Sequence, residues 1–135
     1  MGGLVVANRV RRALPRDHRV VLVEREAAFV FAPSLLWLMT GGRTAEGISR
    51  PLARLARKGI EIVRGEIERI DPDRREAVVS GRTRGADYLV VALGAELDHE
   101  VIPGLAGAGH SFYTLAERRV SATPWRGSAA GGWSS

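Results

Sequence analysis

At 135 residues, with 45% apolar and 26% charged side chains, the chain is sized for one domain and composed like an ordinary globular protein. It has no cysteine, which excludes disulfides, thiolate metal sites and thiol redox chemistry within these residues. The net charge of +5 is almost all arginine and is spread beside acids, as in Glu24-Arg25-Glu26 and Asp73-Arg74-Arg75-Glu76; this reads as solvated surface rather than the clustered footprint of a nucleic-acid binder.

Residues 4–14 have helical period. Val6, Val10 and Ala13 share one side, with Arg9, Arg11 and Arg12 largely opposite. Leu14-Pro15 ends the helix, because the residue before proline is driven out of the helical region. Residues 19–24, Arg-Val-Val-Leu-Val-Glu, read as a strand whose apolar run suits a parallel sheet covered on both faces. Residues 29–33 are extended and apolar. Ser34 is positioned to cap a short helix through Met39, stopped by Gly41-Gly42. Ser49 is a second candidate cap, for a helix over about residues 50–58 with Pro51 in its first turn and Gly59 at its end.

Ile60 to Val63 is a strand, and residues 66–71 another. Asp71-Pro72-Asp73-Arg74 makes a turn into residues 76–80, and Gly81 and Gly85 bound a further loop. Tyr88 to Leu93 is a second fully buried strand candidate, closing on Gly94-Ala95. From Glu96 the chain reads as loop, and residues 116–135, rich in Gly, Ser, Ala and Arg, read as a low-order tail. The uncharged stretch from Ala27 to Gly42 is short for a membrane helix and is broken by Pro33. The amino terminus lacks a secretory pattern, so a cytoplasmic location is expected.

The chemistry is concentrated in the first 24 residues. Gly2-Gly3, a helix, a strand and a terminal acid follow in order, with Glu24 placed 21 positions after Gly3. That order is most of a dinucleotide-binding βαβ unit, without its first strand and the first two glycines of G-x-G-x-x-G. A carboxylate at the end of the second strand accepts hydrogen bonds from ribose hydroxyls and repels a 2′-phosphate, which favours FAD or NAD over NADP. Gly3 stands where a glycine lets helix pack tightly on sheet, with Gly2 in the preceding turn. Residues 88–95 add a strand ending in Gly94-Ala95, a place where backbone can approach a cofactor. With no upstream strand, few backbone N–H groups can be aimed at a pyrophosphate, and weak binding is expected. His18, His99 and His110 are scattered without metal-ligand spacing, and no Gly-x-Ser-x-Gly elbow supports a serine hydrolase.

These elements resemble the FAD-binding half of the two-dinucleotide-domain flavoprotein oxidoreductases. The closest likeness is to the sulfide:quinone oxidoreductase and flavocytochrome c sulfide dehydrogenase branch. The residues that carry it are Gly2-Gly3-Leu4, residues 20–24, residues 29–37 with Gly41, Lys58-Gly59-Ile60, Gly65-Glu66-Ile67, Ile70-Asp71-Pro72, residues 87–95 and residues 102–105. The Phe-x-Phe-x-Pro-Ser-x-x-Trp stretch, Phe29 to Trp37, favours the sulfide branch over type II NADH dehydrogenases. The resemblance implies FAD as cofactor. Gly2, Gly3, Glu24 and Arg25 would hold its adenosine end and Ile67 would touch adenine through its backbone. Pro33 and Ser34 would lie near the flavin, and Ala92, Leu93, Gly94 and Ala95 would line the site. It implies quinone or NAD(P)H as partner only in a full-length relative.

There are departures. Leu93 stands where the family usually has threonine, the redox cysteine pair is absent, and the likeness stops after Leu115. The expectation is therefore an α/β fold: an incomplete three-layer FAD/NAD(P)-binding Rossmann-like domain over residues 1–115 with a small antiparallel hairpin element. It is expected to derive from a truncated or frameshifted flavoprotein gene and to be catalytically incompetent alone. The alternatives are a non-catalytic nucleotide-binding or interaction module, a homo-oligomer through its open sheet edges, and a basic nucleic-acid binder. One geometric expectation underlies the first reading: Glu24 and Gly94 meet at the same edge of a single sheet.

Overall fold

A computed structural model describes residues 1–98, 100–105, 113 and 115. Within these the chain divides into two units. The first comprises residues 1–30 and 49–96, and the second comprises residues 31–48 and those from 97 onward.

The first unit opens with helix α1, Gly2–Ala13, and strand β1, Val21–Glu24. Strands β2, Ala28–Val30, and β3, Ser49–Pro51, form an antiparallel pair. A 3₁₀ segment, Leu52–Lys58, leads to strand β4, Glu61–Arg64. β1 and β4 pair in parallel, with Val21 opposite Glu61 and Glu24 opposite Arg64. Strands β5, Ile67–Asp71, β6, Glu76–Val79, and β7, Arg82–Gly85, make a three-stranded antiparallel sheet in chain order.

The core of this unit gathers Ala7, Val20, Leu52, Leu55 and Ile60, flanked by Leu4, Val10, Leu22, Phe29 and Ile62. Ile60 is the most enclosed, with 1% of its surface exposed. It precedes β4 and directly follows Gly59, whose φ of +81° turns the chain out of the 3₁₀ segment. A side chain there would strain the backbone, and a Cβ would fall 2.6 Å from Arg16 Nη1.

The second unit contains a 3₁₀ turn, Ala32–Ser34, helix α2, Leu35–Met39, and helix α3, Ala45–Ile48. Phe31 N–H donates to the Ile48 carbonyl at 3.2 Å, which closes the segment on itself. The Arg43 guanidinium lies 5.0 Å from the centre of the Trp37 ring, a cation–π contact.

Several local expectations are corrected. Ser34 precedes α2 but makes no side-chain capping bond; it is buried, and its N–H closes the 3₁₀ turn onto the Phe31 carbonyl at 2.8 Å. Ser49 does not cap a helix over 50–58. It belongs to β3, because pairing with Val30 holds Ser49–Pro51 extended, and the following turns are 3₁₀. The loop expected between Gly81 and Gly85 is strand β7, since β6 offers it a complete ladder from Val79↔Arg82 to Glu76↔Gly85. The helix α1 buries Ala7 and Arg11, not Ala13. Arg11 is buried because its guanidinium donates to three carbonyls where α1 ends: Leu14 at 2.8 Å, His18 at 2.6 Å, and Pro15. A cation at a helix carboxyl end satisfies orphan carbonyls and opposes the negative end of the dipole.

The largest correction concerns residues 88–93. They were expected as a buried strand. They carry no strand pairing, and Tyr88, Val90, Val91 and Leu93 are exposed, Tyr88 at 91%. The composition is that of a buried strand, but a strand needs a hydrogen-bonding neighbour, and among the described residues none pairs with it. The tail expected over 116–135 lies outside the described residues.

Candidate functional site

α1 starts without a side-chain cap and without an acid in its first turn. Its first intrahelical bond runs from Val5 N–H to the Met1 carbonyl at 3.2 Å. The N–H groups of the preceding residues in the turn have no partner within the helix and face outward at its positive end, a ready environment for a phosphate.

Gly2 and Gly3 hold this helix end against two other segments. A Cβ at Gly3 would sit 3.6 Å from Leu22 Cδ1 and 3.7 Å from the Ala92 Cβ, and one at Gly2 would sit 3.5 Å from the Ala92 Cβ. The start of α1 therefore touches both the middle of β1 and residue 92. At the end of β1, the half-buried Glu24 accepts a bond from the Glu26 N–H at 3.1 Å through one carboxylate oxygen. Its backbone carbonyl accepts from Gly65 at 3.3 Å, which continues the β1–β4 ladder by one step.

Arg25 reaches across to Glu96, with Nη2 donating to Oε1 at 2.7 Å. That hydrogen bond, with the charge of Glu96, raises the already high Arg25 pKa. The pair is exposed, so it fixes position more than it stabilises. Gly94 precedes it with φ +87° and open space where a Cβ would be. Only glycine adopts that conformation without strain.

Ile67 begins β5, opposite Val79. Just before it, Gly65 is hemmed in: a Cβ there would fall 2.5 Å from Ser80 Oγ and 2.8 Å from Val79 Cγ1. The chain passes from the parallel pair into the antiparallel sheet through this point. Gly65 is thus a packing requirement that the glycine spacing alone did not single out.

The structure ties Gly2 and Gly3 to Ala92, Gly3 to Leu22, and Arg25 to Glu96; Glu24, Leu93, Gly94, Ala95 and Ile67 belong to the same unit. Pro33 and Ser34 belong to the second unit, Pro33 exposed and Ser34 buried. The meeting of Glu24 and Gly94 needs one amendment. The two residues do not share a sheet, because residues 88–95 have no ladder; the next residue after Glu24, Arg25, bonds to Glu96.

The pyridine nucleotide-disulphide oxidoreductase family matches residues 1–127. The chain belongs to that family. A demethylphylloquinone reductase from Synechocystis sp. is 31% identical over 125 residues, covering 86% of this chain and 31% of the relative. A mitochondrial sulfide:quinone oxidoreductase from Mus musculus is 28% identical over 107 residues, covering 77% of this chain and 23% of the relative. Among solved structures, the sulfide:quinone oxidoreductase of Aquifex aeolicus superposes with a TM-score of 0.77 at 28% identity, over 88% of this chain and 29% of that one. The fold is thus the α/β, Rossmann type of these oxidoreductases. The chain spans less than a third of the length of the relatives it matches. No helix among the described residues is long and apolar enough to cross a membrane.

Proposed function

We propose that this member of the family is the FAD-holding part of a quinone-linked oxidoreductase, and that by itself it binds the adenine-dinucleotide end of the cofactor without turning over. The observation that carries this reading is the double tie between β1 and residues 92–96. Gly3 packs on Leu22 and Ala92 together, and Arg25 bonds to Glu96. An uncapped helix amino terminus, the strand that ends in Glu24 and the run that holds Gly94 are thereby tied to one another.

The residues fit the group. The first-turn N–H groups of α1, at Gly2 and Gly3, suit the pyrophosphate. The Glu24 oxygen not used by Glu26 suits a ribose hydroxyl. Arg25 edges the adenosine end, and the Ile67 backbone borders adenine. Ala92, Leu93, Gly94 and Ala95 offer backbone at close approach, with no Cβ at Gly94 to hold a ligand away. Pro33 and Ser34 are assigned to the flavin side on the resemblance of the Phe29-to-Trp37 stretch. FAD, when bound, supplies the two-electron chemistry, and the protein binds and orients it. The named relatives act on quinones, which supports a quinone as the acceptor of any longer form. The absence of cysteine among all 135 residues argues that thiol chemistry is not this chain's share.

Titration with FAD, followed by quenching of flavin fluorescence, tests the reading. FAD and ADP are expected to bind, FMN to bind much more weakly, and Glu24→Ala to weaken FAD about ten-fold, the equivalent of one lost charge-assisted hydrogen bond. Equal binding of FAD by wild type and the Glu24 variant, or no binding, would overturn it.

A further inference from the structure

The arginines lie scattered in sequence, but the fold gathers three of them at the carboxyl end of α1, the end away from Gly2 and Gly3. An open cavity of about 370 Å³ lies there, and its lining includes Arg11, Arg16, His18, Arg19, Gly59 and Glu61. All six belong to the first unit. At a helical rise of about 1.5 Å per residue, roughly 12 Å of α1 separates Arg11 from Gly3, so the cavity is distinct from the surface proposed for FAD.

Two guanidiniums are held in this lining with donors to spare. A guanidinium carries about five N–H donors in a fixed fork. Arg11 bonds the carbonyls of Leu14, Pro15 and His18 through its two terminal nitrogens. Its Nε–H is buried and has no partner among the described residues. A buried donor left unmet is costly, and it marks a place where an acceptor is wanting. Arg16 donates to the Lys58 carbonyl at 3.1 Å and lies against Gly59, where a Cβ would fall 2.6 Å from its Nη1. An exposed arginine is thus fixed in place by a carbonyl far along the chain and by the missing side chain at residue 59.

The charges around the cavity do not cancel. Three guanidiniums face one acid, an excess of two positive charges before His18 is counted. Glu61 is engaged by Arg19 at 2.7 Å, which takes it out of competition for Arg11 and Arg16. The carboxyl ends of α1 and of the 3₁₀ segment would repel an anion, but the carbonyls of Leu14, Pro15 and Lys58 already accept from these same arginines. Basic residues that only complement helix ends account for those bonds. They do not account for the unmet Nε–H of Arg11, or for the Arg16 donors left over beside an open cavity.

We propose that this cavity binds a small phosphate dianion of the phosphomonoester class, with Arg16 and His18 as exposed contacts and Arg11 as the buried charge behind them. Arginine's planar fork matches a phosphate through paired bonds, which a carboxylate of single charge uses less fully. A phosphomonoester carries close to two negative charges near neutrality, which matches the excess on the wall.

The test is an NMR amide-shift titration of the full chain with inorganic phosphate and with phenyl phosphate, at constant ionic strength made up with chloride. The amides of Arg16, His18, Gly59 and Glu61 are expected to move together and saturate in the millimolar range, with acetate about ten-fold weaker. Arg16→Gln should weaken phosphate about ten-fold. Arg16→Lys, which keeps the charge and loses the fork, should weaken it about three-fold. Arg16 is exposed, so both variants are expected to fold, with the amides of β5, β6 and β7 unchanged. Arg57→Gln, a nearby exposed arginine outside the lining, should bind as wild type does. Glu24→Ala should also leave this titration unchanged, which separates its failure from failure of the FAD reading. Equal affinity for acetate, equal affinity of wild type and Arg16→Gln, or unsaturating shifts spread over the other surface arginines would overturn the proposal. So would short duplex DNA that displaces phosphate from these residues and binds them more tightly, since the patch would then serve a nucleic acid.

Discussion

The two sheets that meet at Gly65 are built on opposite terms. β5, β6 and β7 follow one another in sequence, joined by short turns, and each pairs with the next. The turn at Asp71–Arg74 is held by Arg74 N–H on the Asp71 carboxylate at 3.0 Å, and Gly81 N–H bonds to Glu68 at 2.8 Å. Everything that sheet needs lies within about twenty residues. The parallel pair is the reverse. β1 and β4 are separated by two strands, a second unit and a 3₁₀ segment. Antiparallel structure is completed locally, while a parallel sheet depends on members brought from elsewhere in the chain or beyond it. Glu24, proposed for the nucleotide site, ends a strand of the parallel pair.

The contrast can be broken most severely at its core. Ile60→Ala should destabilise the first unit by about 2–5 kcal/mol, as expected for emptying a fully enclosed aliphatic site. Urea unfolding should report it, and exchange in β1 and β4 should rise before exchange in β5–β7. Equal loss in both sheets would show that they unfold as one. The joint comes next. Gly65→Ala places a methyl group inside contact distance of Val79 and Ser80, and should cost about 1–3 kcal/mol, read as a lowered melting midpoint with β5–β6 amides shifted. An unchanged midpoint would mean that β6 yields at no cost. Arg11→Met keeps the volume but leaves the carbonyls of Leu14, Pro15 and His18 without their donor. A loss of about 2 kcal/mol is expected, with the FAD titration unaffected, because this end of α1 is remote from Gly2 and Gly3.

The smallest effect is a pH dependence. Glu61 is held below the usual carboxylate range by its hydrogen bond from Arg19 at 2.7 Å, aided by the charges of Arg19 and Arg84. A carboxylate lowered in the folded state contributes stability that is fully present above its unfolded value. That contribution is lost as pH falls through the folded one. Arg19→Gln should therefore lie slightly below wild type near neutrality and converge with it in acid, and the Glu61 titration followed by NMR should move upward. The pair is exposed, so the stability difference is small. Coincident curves at all pH values would remove the pair from the account.

Much of the local structure could be read directly from residue order. The β1 run ends in an acid, Gly59 turns the chain into Ile60, and Asp71-Pro72-Asp73 turns β5 into β6; each depends on neighbours in sequence. The Gly2–Gly3, helix, strand, Glu24 order also pointed to the family. Arg11 was not legible, because an arginine that folds back on three carbonyls has the same helical spacing as one in water. Nor was β7, whose Arg-Thr-Arg-Gly has no strand signature and extends only because β6 offers it a ladder. Residues 88–93 carried the opposite lesson, with the composition of a buried strand and no partner to bury them.

The sequence by itself determined where the chain turns, which segments are apolar, and that a carboxylate follows a glycine-led helix at dinucleotide spacing, because these are properties of φ preference and side-chain polarity over a few residues. Only the tertiary structure decided that Arg25 bonds to Glu96, that Gly3 leans on Leu22 and Ala92 at once, and that residues 88–95 have no ladder among the described residues. Those facts depend on hydrogen-bond partners distant along the chain, and a backbone group's partner is not encoded in the residue that carries it.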